Sequence, residues 1–275
     1  MRILGIDFTS APRPKKPITC AIATLNSNRL RVQELRALPS FEAFEELLAG
    51  AGPWVAGFDF PFGQPRPLVE ALGWPQPWAA YVRAVELGGK QSFEQALTDY
   101  KAARPSGKKE PVRRSDQLAR SRSPTKLFNP PVAKMFFQGA PRLLSSGACV
   151  LPCHPTTSDR IALEAYPALV ARTFIGAASY KSDDLAKQTA ARRDARQALV
   201  AALVSDALHH HYGISLDLDG ALADTFVEDA TGDKLDAALC AVQAAWAYSQ
   251  RAANYGIPHS CDPLEGWIVD PGQLC

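Results

Sequence analysis

The sequence predicts a mixed α/β fold: one sheet that begins as an antiparallel meander and continues with parallel strands, flanked by helices. Three observations carry this reading. Two continuous apolar, β-prone runs, 2–8 and 54–61, each contain an aspartate near their end. An alternating run, 29–38, follows a second strand across the turn Asn26-Ser27-Asn28. Leu235, Leu239, Val242 and Trp246 recur at helical spacing near the end of the chain.

Taken in order, residues 2–8 (RILGIDF) read as a buried strand, 17–25 (PITCAIATL) as a second and 29–38 (RLRVQELRAL) as a half-exposed third. Ser40 suits the N-cap of a short helix, FEAFEELLAGA, whose Glu42 and Glu45 sit in the first turns. WVAGFDFP at 54–61 is a fourth strand. Regular patterning then lapses between Pro61 and Pro155, where many of the 22 prolines fall. Short helices are expected there around 78–87, 91–103 and 131–138. No core periodicity stands out, so the segment reads as an insertion, at about 62–156, in a single domain of residues 1–275. Order returns with a fifth strand at 159–166 (DRIALEAY). Pro167 suits the first turn of the helix that follows. A long helix is expected over 183–211 and a last one over 233–252, with EGWIVDP as an edge strand. A three-strand meander followed by parallel strands and helices is the order of the ribonuclease H-like fold.

Composition narrows the class. With 47% hydrophobic and 21% charged residues in 275, wholesale disorder is excluded. No run reaches about 18 apolar residues without a charge, so neither a membrane span nor a membrane partner is expected. The opening MRILGIDFTS is too short and too acidic for a signal peptide. Six irregularly spaced cysteines, at 20, 149, 153, 240, 261 and 275, suggest reduced thiols and a cytoplasmic setting. No feature specifies an oligomeric state. The net charge of +2 is unevenly spread. Residues 101–126 hold nine basic side chains against Glu110 and Asp116, leaving −5 over the rest. Such asymmetry suits a polyanionic partner, or a solvated loop.

The acids point to chemistry. Asp7 (in GID) and Asp59 (in GFDFP) close apolar strands whose ends would open at one sheet edge, where α/β proteins bind ligands. Glu164 (in ALEAYP) closes the fifth strand. Asp233 and Asp236 begin the last helix, three residues apart and so on one face, where free N–H groups tolerate carboxylates. Asp233 equally suits a helix N-cap, Asp236 an exposed helix acid and Asp7 a strand-end turn. Buried carboxylates need partners. With no Lys or Arg in these motifs, a cation is the natural one, and hard oxygen ligands suit Mg²⁺ or Mn²⁺. Two such ions roughly 3.5–4 Å apart would clamp a phosphodiester.

GIDFTSAP, AGFDFPFG, LEAYP and GDKLDAALCAVQAAWA resemble the motifs of the predicted ribonuclease H-like nuclease family, domain-of-unknown-function family 429, across residues 3–270. The closing D-x-x-D-A pattern is also similar to that of the Holliday-junction resolvase branch. The resemblance implies a nuclease whose acids fall on Asp7, Asp59, Glu164 and Asp236, with Asp233 beside them. The expected function is therefore a metal-dependent phosphodiesterase acting on nucleic acid. Asp7 and Asp59 would hold the metals, and Glu164 and Asp236 would complete the shell and position water. Thr9, Ser10, Arg113 and Arg114 are candidate phosphate contacts. Two other readings stay open. One is an actin-like kinase or ATPase, since Asp7 is followed by Thr9 and Ser10; the other is a non-catalytic nucleic-acid binder. Cys149, Cys153 and His154 lack a second ligand pair for zinc. His209, His210 and His211 suit a helix C-terminus, and Trp54, Trp74 and Trp78 suit packing.

Overall fold

A seven-stranded mixed sheet organises the molecule; the computed structural model describes residues 1–274. Its strands are β1 (Arg2–Asp7), β2 (Ile18–Asn26), β3 (Arg29–Leu38), β4 (Trp54–Phe58), β5 (Cys149–Leu151), β6 (Arg160–Glu164) and β7 (Ser215–Asp217), in the spatial order β5-β6-β4-β1-β2-β3-β7. The first three form an antiparallel meander. On the other side of β1, β4 and then β6 and β5 run parallel to it, while β7 runs parallel to β3. The expected mixed α/β architecture and its meander are therefore present. β1, β4 and most of β2 are buried on both faces, which is why they read as continuous apolar runs.

Among the described residues, ten α-helices flank the sheet: α1 (Phe41–Ala49), α2 (Arg66–Ala71), α3 (Trp78–Ala102), α4 (Arg114–Ala119), α5 (Val132–Ser145), α6 (Pro167–Ile175), α7 (Ala190–Leu203), α8 (Asp206–Tyr212), α9 (Gly220–Glu228) and α10 (Asp233–Ser249). Alternation along the strands divides two cores. Leu4, Ile6, Trp54, Ala56 and Phe58 face one core, shared with α1, α2, α3 and α5. Ile3 and Val55 face the other, shared with α6 to α10. The proline-rich segment 62–156 thus supplies most of one sheet face. Its packing uses aromatic rings rather than a regular period: Phe62 meets Phe60 and Phe58 in tilted contacts, and Trp74 stacks on Tyr81.

Several boundaries differ from expectation. The helices foreseen at 78–87 and 91–103 are one element, α3, kinked at Gly89, whose φ of 79° needs no side chain. The expected helix at 131–138 extends to Ser145 and accommodates Pro141. The long helix 183–211 is broken into a 3₁₀ turn at Leu185–Lys187, α7 and α8, because Ser205 caps the N-terminus of α8 through the Ala207 N–H. The last helix ends at Ser249 rather than 252. EGWIVDP forms no strand of its own: Ile268 makes a single parallel bridge to Glu164. Trp54 and Trp78 are fully buried, as packing residues should be. The cysteines at 20, 149, 153, 240 and 261 are free thiols; Cys275 lies outside the described residues. No helix among the described residues is long and apolar enough to cross a membrane.

Candidate metal centre

The period of two along a strand places Gly5 and Asp7 on one face of β1, and Gly57 and Asp59 on the same face beside it. That face receives α10. A Cβ on Gly5 would lie 2.0 Å from the Ala237 carbonyl oxygen, and one on Gly57 would lie 2.5 Å from that of Cys240. Only glycine lets the helix backbone approach so closely, and the small residues Ala237, Cys240 and Ala241 complete the contact. The first turn of α10 is thereby pressed onto the strand ends, with Asp236 fully buried. Asp7, Asp59 and Asp236 each offer a carboxylate oxygen, and these oxygens lie within 4.8 Å of one another.

Such crowding has an electrostatic cost. Burial, reinforced by the Asp236 charge, holds the Asp7 carboxyl well above the usual carboxylate range; Lys181 opposes the shift, while Asp233 and Asp59 add to it. Asp59 is pushed up to about 7, again by burial first, with Asp236 and Glu164 contributing against Lys181. One organic cation offsets part of this charge. Lys181 donates through Nζ to Asp236 Oδ2, and the Tyr180 hydroxyl donates to Asp236 Oδ1 at 2.5 Å. Burial works against the charge on Lys181, yet Asp236, Tyr180, Asp7 and Asp59 together raise its pKa well above the ordinary lysine value. The motifs contained no basic residue, but the fold supplies one from a loop 55 residues before Asp236. Sequence reasoning missed Tyr180 and Lys181 because no local pattern marks a contact at that separation.

The other predicted acids stand apart. Glu164 pairs in register with Phe58, not Asp59, so its side chain leaves the sheet on the opposite face. There it accepts from Arg113 at 2.5 and 2.8 Å and from the Phe62 N–H at 2.9 Å. Arg113 also grips Asp116 at 2.8 Å through two guanidinium nitrogens. Arg113, Asp116 and Glu164 are each only 2% exposed. Glu164 is thus engaged by a guanidinium and is not one of the three converging aspartates, and Arg113, expected as a phosphate contact, is a buried cation that lines the cavity beside Asp59. Asp233 pairs with Lys16 Nζ at 3.0 Å and is not one of the converging trio. It is the first helical residue, and the cap position belongs to Gly232 in the left-handed region.

Thr9 and Ser10 follow Asp7 at the same sheet edge. Thr9 Oγ1 accepts from the Ala11 N–H at 3.5 Å, and Ser10 lines a cavity of about 350 Å³ with Phe128 and Lys134. Arg114 is exposed at the start of α4. Among the described residues, the aspartate trio is the one set of three His, Cys, Asp or Glu side chains whose ligand atoms converge. Cys149, Cys153 and His154 do not. His209, His210 and His211 occupy the last turn of α8. Beside Asp59 opens a second cavity, of about 330 Å³, walled by Pro130, Val132, Met135 and Tyr166 and flanked by Arg122 and Lys181.

A mixed α/β protein with a carboxylate centre at the carboxyl ends of two parallel strands is the class that these features define. Residues 5–259 match the family model described as Protein of unknown function (DUF429), and the chain belongs to that family. No curated protein and no solved structure matches it.

Proposed function

We propose that this protein is a ribonuclease H-like, metal-dependent nuclease. The observation that carries the reading is the convergence of Asp7, Asp59 and Asp236 within 4.8 Å. The strand order supports it, with an antiparallel meander on one side of β1 and parallel strands on the other. The donor set fits a hard divalent cation such as Mg²⁺ or Mn²⁺: all three ligands are carboxylates, and Asp7 and Asp59 are held in a charge environment that penalises their ionised forms. When bound, such an ion supplies Lewis-acid polarisation of a phosphodiester and a more acidic water.

The chain's own residues do the rest. Asp7 and Asp59 are fixed by the parallel ladder, in which the Asp59 N–H donates to the Ile6 carbonyl at 2.9 Å. Tyr180 and Lys181 orient Asp236 from two directions. Lys181 also lines the cavity beside Asp59, where its ammonium would face a phosphate and favour charge developing on it. Glu164 and Arg113 line the same cavity as an ion pair, with Arg113 shared between Glu164 and Asp116. The test is Mn²⁺-dependent cleavage of labelled single- and double-stranded oligonucleotides. Wild type should cut, and Asp7→Asn, Asp59→Asn and Asp236→Asn should each fall to background, the double variants being no worse than the singles. Wild type without activity on any substrate, or full activity in Asp7→Asn, refutes the reading.

A further inference from the structure

The two cavities at this edge share one divider, the turn at 127–131. On one side lie Asp59, Tyr166, Lys181 and Arg122. On the other lie Ser10 and Ala11, which continue from β1, with Lys90, Lys134 and Phe128. Two features are unusual for residues with no structural duty. Phe128 is 66% exposed, and its ring has only Lys134 Nζ set over it, 4.6 Å from the centroid. Arg122 is exposed and makes no ion pair among the described residues. Lys90 and Lys134 share the single acid Glu94, at 3.9 and 3.7 Å, which leaves a net positive charge around the exposed ring.

We propose that this edge binds single-stranded nucleic acid, with one unpaired base on Phe128 and a neighbouring nucleotide seated in the cavity beside Asp59; the inference rests on the nuclease reading and specifies its substrate. The cavity volume of about 330 Å³ lies near the lower end of ligand pockets, the size of one nucleotide. Its apolar walls, Pro130, Val132 and Met135 with the Tyr166 ring, suit a base face, while Arg122 and Lys181 suit the attached phosphate. An exposed aromatic ring flanked by lysines is the arrangement that stacks successive bases of a single strand while tracking its backbone. A paired base would have to leave its duplex to reach either place, at the expense of stacking and pairing.

The experiment measures binding apart from cleavage. Fluorescence anisotropy in EDTA, with a labelled 12-nucleotide single strand and the matching duplex, should show the single strand bound at least tenfold more tightly. Phe128→Ala should weaken single-strand binding by about tenfold, and Phe128→Trp should restore it, as stacking requires. Arg122→Ala should weaken both binding and its salt dependence. Arg31→Ala, an exposed residue of β3 beside the edge strand β7, should change little. Equal affinity for single strand and duplex, or wild-type affinity in Phe128→Ala, overturns the proposal. Selective single-strand binding without Mn²⁺-dependent cleavage upholds it and removes the nuclease reading instead.

Discussion

Asp59 carries the sharpest residue-scale consequence. Its carboxyl titrates near 7 in the folded protein, against about 3.9 in an unfolded chain. The folded state therefore holds a proton that the unfolded state releases, and stability falls as pH rises through that interval, levelling off above it. Asp7, displaced in the same direction, adds to the trend. In EDTA, the melting temperature of wild type should fall between pH 5 and pH 8 more than that of Asp59→Asn, and Mn²⁺ should stabilise wild type more at pH 8 than at pH 5.5. Superimposable pH profiles for wild type and Asp59→Asn would contradict this. The positions of Asp7 and Asp59 were legible because each closes a continuous apolar strand run. Glu164 was misplaced because a shift of one residue in register turns a side chain to the other side of the sheet, and no strand pattern reveals register.

Among the elements, α10 and the two strands beneath it act as one unit. Gly5→Ala would drive a methyl group into the Ala237 carbonyl and the Ala241 backbone, which cannot move without lifting the whole helix. The expected loss is about 3 kcal/mol, the upper part of the overpacking range, and the carboxylates should separate with it. Gly220→Ala, where no atom lies within 4 Å, serves as the control and should stay within about 0.5 kcal/mol. Urea denaturation of both variants checks this, and a Gly5→Ala protein as stable as wild type would mean that the helix is not pinned there. β1, β4 and α10 were readable from sequence because long apolar runs and helical spacing leave strong signals. β5 and β7, at three residues each, are too short to show any period. The break before α8 was present in the sequence as Ser205, but it was masked by good helix formers on both sides.

At the scale of the molecule, the segment 62–156 is tied to the rest by Arg113. Its guanidinium joins Asp116 on α4, Glu164 on β6 and the Glu265 carbonyl near the chain's end. Arg113→Ala would leave two buried carboxylates without a counter-charge, and should cost about 3–5 kcal/mol. Lys108→Ala, on an exposed residue of the same basic segment, should be nearly neutral. Equal urea midpoints for the two variants would remove the proposed role of Arg113 as an internal tie. Charge counting could not separate these residues, because it treats all nine cations of 101–126 alike. Burial separates them: Arg113 is internal, Lys101 reaches Glu110 at 2.9 Å, and Arg104 covers the Tyr100 ring.

The C-terminal stretch has a consequence for how the protein is made. Leu264 belongs to the core on one side of the sheet, whereas Trp267 and Val269 belong to the core on the other. Val269 donates to the Glu164 carbonyl at 2.9 Å, and Leu264 accepts from the Tyr81 hydroxyl at 3.0 Å. The meander β1–β3 pairs locally and can form early, and residues 264–269 are the last in chain order to join either core. During synthesis the face that α10 covers stays open until residues 233–249 have emerged, whereas segment 62–156 can cover the other face earlier. That interval is when such a chain is most exposed to aggregation and most dependent on chaperones.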